Sequence, residues 1–259
     1  MPDAHRFFEA PLSDEQMESQ LLDRMSFQRF VGLRASSQIP DRTTIWTFKE
    51  RLIQAGASES MFDAVNRQLA RHGYIARGGQ MIDASIVEAP RQSLSKEEKA
   101  IVSEGAMPAD WKPAKRRQKD MDARWTKKHG KSYFGYKVSV NADKRYKLVR
   151  KIKVSTASEH DTLHFEDVLD PANTNRDILA DKGYVDSERE ARLSKQGWRM
   201  HIQRKGSKGK PISAALAQMG GKTLRSIGLA RARLHLNWKV VAYHLHCLVF
   251  MKEARVEAF

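Results

Sequence analysis

Apolar residues recur at helical spacing through the first part of the chain and change to alternation after Gly79. Ser13 followed by Gln16 is a capping-box signature, and Met17, Leu21, Leu22 and Met25 continue from it at helical spacing. Pro40-Asp41 starts a second helix, in which Ile45, Phe48 and Leu52 share a face and Gly56 marks the end. A third begins near Ser58, with Met61, Phe62, Val65 and Leu69 aligned and Gly73 as its C-terminal cap. Residues 1–78 therefore read as a helical N-terminal region. Short helices joined by tight turns fit a DNA-binding helix-turn-helix unit or a plain bundle equally well.

Beyond Gly79 the pattern predicts a strand over residues 81–87, then a polar, exposed connection over 91–120 containing Pro108, Pro113 and Lys115-Arg116-Arg117. Residues 134–140 alternate as a strand, residues 141–144 supply a turn, and residues 147–155 return as the second arm of a hairpin. A helix over 160–169, a short buried strand over 177–180, a helix over 187–196, a strand over 200–203 and a long helix over 223–250 follow. That order specifies an α/β fold across 79–259, a mixed sheet with an antiparallel hairpin beside parallel strands and flanking helices.

Charge sharpens this picture. The 259 residues carry a net charge of +15, which points to a polyanionic partner, nucleic acid foremost. Residues 111–153 hold 16 basic side chains against 3 acidic, residues 154–190 hold 3 against 10, and residues 191–252 hold 13 against none. Two basic blocks flanking an acidic one suit a surface that tracks phosphates. Cys247 is the only cysteine, which excludes an intrachain disulfide. The start shows no signal-peptide pattern and no run reaches the length of a membrane span, so a cytoplasmic location and no membrane partner are expected.

Within the acidic block and just before the basic ones, two aspartates occupy matching settings. Asp83 lies in the strand of residues 81–87, and Asp181 follows the strand of residues 177–180. Magnesium takes oxygen ligands, commonly one or two carboxylates completed by substrate phosphates, and two such ions stabilise the attacking and leaving oxygens of phosphodiester chemistry. Asp83 and Asp181 suit that role if their strands are neighbours; an Asp after a strand also serves as an ordinary turn or cap residue. Gly220-Gly221-Lys222-Thr223 does not complete a phosphate-binding loop, because Leu216 stands where the first glycine belongs. His244, His246 and Cys247 have poor metal-site spacing on a helix.

Three motifs carry a resemblance. Residues 122–137 (Asp-Ala-Arg-Trp-Thr-Lys-Lys-His-Gly-Lys-Ser-Tyr-Phe-Gly-Tyr-Lys), residues 157–161 (Ala-Ser-Glu-His-Asp) and residues 180–184 (Ala-Asp-Lys-Gly-Tyr) resemble segments of bacterial insertion-sequence transposases of the insertion-sequence-five type. Residues 202–211 and 219–232 match further, and residues 12–33 and 40–52 resemble the helical region that precedes the catalytic fold. The resemblance runs in order along nearly the whole chain. It implies a ribonuclease-H-like core with an Asp-Asp-Glu triad, in which Asp83 matches the first acid and Asp181 the second, both as catalytic residues and as ligands of Mg2+ or Mn2+. It also implies double-stranded DNA, the inverted-repeat ends of an element, as partner, and it allows a homo-oligomer.

The chain departs from that pattern at one place. The third acid, a Glu, belongs between the lysine-rich Lys-Pro motif and the Met-Gly-Gly-Lys motif, but here Pro211 runs through seven residues straight into Met219. The Glu-bearing segment is therefore expected to be deleted, and the start is expected to be abbreviated. Weakened cation binding and little strand transfer follow. The DNA contacts are expected from Arg124, Lys127, Lys128 and Lys131 in the first basic block and from Arg204, Lys205, Lys208 and Lys210 in the second. Two further functions compete: a non-catalytic DNA-binding remnant that interferes with an intact transposase, and a structure-specific nuclease with a substitute acid such as Glu188, Glu190 or Glu253.

Overall fold

The computed structural model describes residues 12–33, 38–74, 78–128, 130–202, 227–254 and 256. Its first helix, α1 (Asp14–Asp23), is started by the expected box: Ser13 Oγ accepts the Gln16 N–H at 3.2 Å and Gln16 Oε1 accepts the Ser13 N–H at 2.9 Å. Arg24 adopts extended backbone and separates α1 from α2 (Met25–Phe30), which breaks the apolar stripe. Leu21 is buried as a result, whereas Leu22 and Met25 face solvent. Asp41 caps α3 (Arg42–Gln54) through the Thr44 N–H at 2.7 Å. Helix α4 (Ala57–Arg71) buries Phe62 and Leu69, as its spacing predicts.

The sheet has six strands: β1 (Gln80–Glu88), β2 (Arg124–Lys128), β3 (Lys131–Asp143), β4 (Val149–Thr156), β5 (Asp177–Ala180) and β6 (Arg199–Ile202). Strand β3 pairs antiparallel with β1, β2 and β4, while β1–β5 and β5–β6 are parallel. The order β2-β3-β1-β5-β6, with β4 also paired to β3, is antiparallel at one end and parallel at the other, the expected mixed sheet. The boundaries of β5 agree with the sequence reading; β2 was not anticipated in it.

Two cores cover the two faces. On one, Val87, Phe134, Tyr136, Val138 and Val140 pack with Ala232, Leu236, Val240 and Tyr243 of α8 (Leu229–Glu253). Phe62 of α4 joins this cluster, and its ring stacks on His244 at 5.8 Å. On the other, Ile82, Ala84, Ile178 and Ala180 pack with Phe165, Val168, Tyr184, Leu193 and Trp198, helped by α7 (Ser187–Lys195). The start of α8 is held by acids: Asp120 Oδ2 accepts the Gly228 N–H and Asp122 Oδ2 accepts the Leu229 N–H, satisfying donors that a helix leaves free. Asp120 also accepts the Tyr136 hydroxyl, at 2.7 and 2.8 Å.

Two expectations are corrected. The connection over 91–120 is not simply exposed: it contains α5 (Lys96–Ser103) and α6 (Pro113–Gln118) and buries Val102 and Trp111. Glu98 organises it, accepting the Trp111 indole N–H at 2.7 Å and pairing with Lys115. The helix expected over 160–169 is a short 3-10 turn, Asp161–His164. Competing bonds explain this: Asn141 takes the Val168 carbonyl at 2.6 Å, Gln80 takes the Asp170 N–H at 2.9 Å, and His164 is held between Glu159 and Asp167.

Candidate active site

Parallel pairing sets Gln80 beside Ile178, Met81 beside Leu179 and Ile82 beside Ala180. The residues that follow Ile82 and Ala180 are Asp83 and Asp181. Neighbouring strands lie about 4.8 Å apart, so the register brings two residues almost a hundred positions distant in sequence to adjacent backbone positions. Asp83 is half-buried within β1, and its Oδ1 accepts the Ala84 N–H at 2.8 Å. Asp181 is exposed, and its Oδ1 accepts the Gly183 N–H at 2.9 Å, capping the 3-10 turn Lys182–Tyr184. The cap role and proximity to Asp83 thus coexist in one side chain.

Burial pushes the Asp83 carboxyl above the usual carboxylate range. The Ala84 N–H pulls it down; the charge of Asp181 pushes it up, Lys128 pulls it down, and Asp161 pushes it up. Two of these neighbours come from the other resembling motifs. Asp161 opens its 3-10 turn and lies 2.6 Å from the Nζ of Lys137, a buried lysine on β3 that also donates to the Glu159 carbonyl. The three motifs therefore converge in space, through Lys137, Asp161 and Asp181. The sequence marked each segment, but the Lys137–Asp161 pair needed the turn after β4 to become visible.

Lys128 pairs with Lys131, whereas Asp83 pairs with Val140, nine residues further along β3. Gly135 lies between the two levels, and a Cβ there would come within 2.2 Å of the Val87 carbonyl oxygen. Only glycine permits β1 and β3 to approach so closely.

The remaining candidates are placed as follows. Lys127, Lys128 and Lys131 are exposed on the β2–β3 arm, and the exposed Trp125 leans on Phe134 with Arg91 over its ring. Arg124 is half-buried, and one of its guanidinium nitrogens donates to the Met121 and Ala123 carbonyls at 2.6 and 3.1 Å. Arg204, Lys205, Lys208 and Lys210 lie outside the described residues, as does the junction between Pro211 and Met219. Glu190 accepts the Asp186 N–H at 3.4 Å at the start of α7, and Glu253 ends α8. His244 is fully buried and accepts the Val149 N–H at 2.9 Å, which keeps it a packing residue.

Among the described residues no three His, Cys, Asp or Glu side chains gather as a metal site. Asp83 and Asp181 stand at neighbouring backbone positions just past the paired residues Ile82 and Ala180. They are hard oxygen donors, one facing solvent, and fit a magnesium-sized cation whose other positions are filled by water or phosphate oxygens. No helix among the described residues is long and apolar enough to cross a membrane.

The family described as transposase DDE domain matches residues 77–244, and the transposase domain DUF772 matches residues 8–51. A solved structure, the crystal structure of the Mos1 strand transfer complex, is similar at 10% identity and a TM-score of 0.30, covering 96% of this chain and 76% of that one. At that distance no residue role transfers from it. The first family match spans most of the chain, including β1 to β6 and most of α8, and the chain accordingly belongs to the DDE-domain transposases.

Proposed function

We propose that this transposase, of the insertion-sequence-five type, binds double-stranded DNA at inverted-repeat ends and holds a divalent cation at Asp83 and Asp181, but is impaired in strand transfer because the Glu-bearing segment between Pro211 and Met219 is missing. The observation that carries the reading is the β1–β5 register, which sets the two aspartates side by side. A bound Mg2+ or Mn2+ supplies charge stabilisation of the phosphodiester oxygens. The chain's own residues do the rest. Asp83 within β1 and Asp181 just after β5 supply the ligand oxygens, and Lys127, Lys128 and Lys131 on the β2–β3 arm meet phosphates. Without the third carboxylate, the cation is held less tightly and the scissile phosphate is positioned poorly.

The test uses a duplex carrying the element's terminal repeats. The intact chain is expected to bind it in a strongly salt-dependent manner, weakened by replacing Lys127, Lys128 and Lys131 together with alanine, and to yield almost no joined product with Mg2+ or Mn2+. Restoring a Glu-bearing helical segment between Pro211 and Met219 is expected to raise joining by orders of magnitude. Efficient cleavage by the unmodified chain, lost in Asp83→Asn, refutes the impairment. Efficient cleavage that survives Asp83→Asn refutes the site.

A further inference from the structure

At one end of β3 the sheet narrows to two strands. Strand β1 accompanies β3 only as far as Gly135, with a last bond from the Ala89 N–H to the Phe134 carbonyl at 2.9 Å. Strand β4 leaves β3 at Tyr136. Before those points Lys131, Ser132 and Tyr133 have β2 as their strand partner, three residue levels or about 10 Å of two-stranded ribbon. Gly130, at φ 79°, supplies the left-handed residue that a two-residue connection between such strands requires. The root of the ribbon is braced. Trp125 and Phe134 are cross-strand partners with ring centroids 5.3 Å apart, and Arg124 ties the base of β2 to the Met121 and Ala123 carbonyls.

Strand alternation distributes the charge of the tip over both faces. Lys128 and Lys131 stand directly opposite one another on one face; Lys127 and its partner Ser132 occupy the other, on the side of Trp125. All three lysines and Ser132 are exposed, and residues 123–142 contain no acid. Among the described residues none of the three ammonium groups has an ion-pair partner, whereas Lys115, Lys137, Lys153 and Arg231 each face a carboxylate. Like charges set opposite one another across two strands repel, so the Lys128–Lys131 pair costs stability unless an anion sits between them.

Dimensions decide which anion fits. Sheets stack about 10 Å apart, which is the thickness of a strand pair with its side chains. The major groove of B-form DNA is about 12 Å wide and about 8.5 Å deep and admits a two-stranded ribbon, whereas the minor groove is only about 6 Å wide. A ribbon about 10 Å long reaches the floor of the major groove with each face turned to one phosphate wall. Cations on both faces match two walls; a ribbon laid flat on one backbone needs them on one face only.

We propose that the tip of the β2–β3 ribbon enters the major groove of duplex DNA, with Lys127 contacting the phosphates of one strand and Lys128 and Lys131 those of the other. This rests on the reading of these lysines as phosphate contacts and adds the groove and the role of each face. Lysine is a point charge without a fixed fork, so the grip positions a duplex without reading its sequence.

The experiment measures binding of the intact chain, over a salt series, to a mixed-sequence duplex and to the same duplex carrying glucosylated 5-hydroxymethylcytosine, which fills the major groove. The variants are Lys127→Ala, the pair Lys128→Ala with Lys131→Ala, and all three together. Filling the groove is expected to cut wild-type affinity to that of the triple variant and to leave the triple variant unchanged. On the unmodified duplex the slope of log affinity against log salt is expected to fall by about 0.9 in Lys127→Ala and by about 1.8 in the pair. Equal wild-type affinity for the two duplexes, with the triple variant still weaker, overturns the groove but leaves the lysines as phosphate contacts. A slope that changes for one face only also overturns it, the ribbon then lying flat. Groove filling that weakens the triple variant as much as the wild type puts another part of the chain in the groove and overturns it too. A triple variant that binds the unmodified duplex as tightly as wild type, or a chain that binds no duplex, overturns both readings. Glutamine, which keeps side-chain length without the charge, replaces alanine wherever calorimetry shows a lowered Tm.

Discussion

Helix α3 and strand β3 are each thirteen residues long, and they treat their side chains in opposite ways. None of α3 is buried, and Trp46 and Phe48 stand 50% and 57% exposed. In β3 the run from Phe134 to Asn141 is buried without interruption. The apolar spacing of α3 was a sound guide to a helix and a poor guide to its surroundings. A strand in mid-sheet has neighbours on two edges and two faces, whereas a peripheral helix needs only one contact. The polar residues tell more. Lys137, Ser139, Asn141 and Asp143 are buried on β3 opposite its apolar row, and three of them make specific bonds: Lys137 at Asp161, Asn141 at Val168, and Asp143 at the Arg145 and Tyr146 N–H groups. Buried polar side chains with partners fix the geometry of the sheet.

That contrast can be broken from its strong side first. Tyr136→Ala removes a fully buried ring and leaves Asp120 short of a partner at the head of α8; a loss of about 4 kcal/mol is expected in urea unfolding. Asn141→Ala strips the sheet of its tie to the Val168 carbonyl and Gln80, and the same measurement is expected to show about 2 kcal/mol.

A comparable effect is expected from acid alone. Burial holds His244 neutral, with its pKa pushed down to about 3, and the charge of Arg150 adds to the shift. Because the folded value is depressed, the unfolded chain takes up a proton first as pH falls below about 6.5. The stability of the neutral state is intact above that pH and declines between about 6.5 and 3, amounting to roughly 2 kcal/mol at pH 5. Tm measured at pH 7 and pH 5 checks this, and His244→Gln should flatten the dependence. On the weak side of the comparison, Phe48→Ser is expected to change stability by less than about 0.5 kcal/mol.

Much of this architecture was legible from sequence. Capping residues gave the starts of α1 and α3, alternation gave β1, β3 and β4, and β5 was bounded correctly, because these signals are local. The spacing over 160–169 suggests a helix, but the bonds of Val168 and Asp170 to Asn141 and Gln80, which compete with it, come from strands far away in sequence. Likewise α5 and α6 were hidden in a polar stretch, since Trp111 and Val102 are too few to set a period. For the site, the two aspartates could be nominated from their motifs, yet their adjacency depended on the β1–β5 register.

The most direct test of the account is whether Asp83 and Asp181 act on one ion. Mn2+ affinity should be measured for the intact chain, for Asp83→Asn, for Asp181→Asn and for the double substitution. A shared cation predicts that either single change removes nearly all of the binding and that combining them adds little. Losses that simply add, or one aspartate whose replacement leaves affinity untouched, would contradict it.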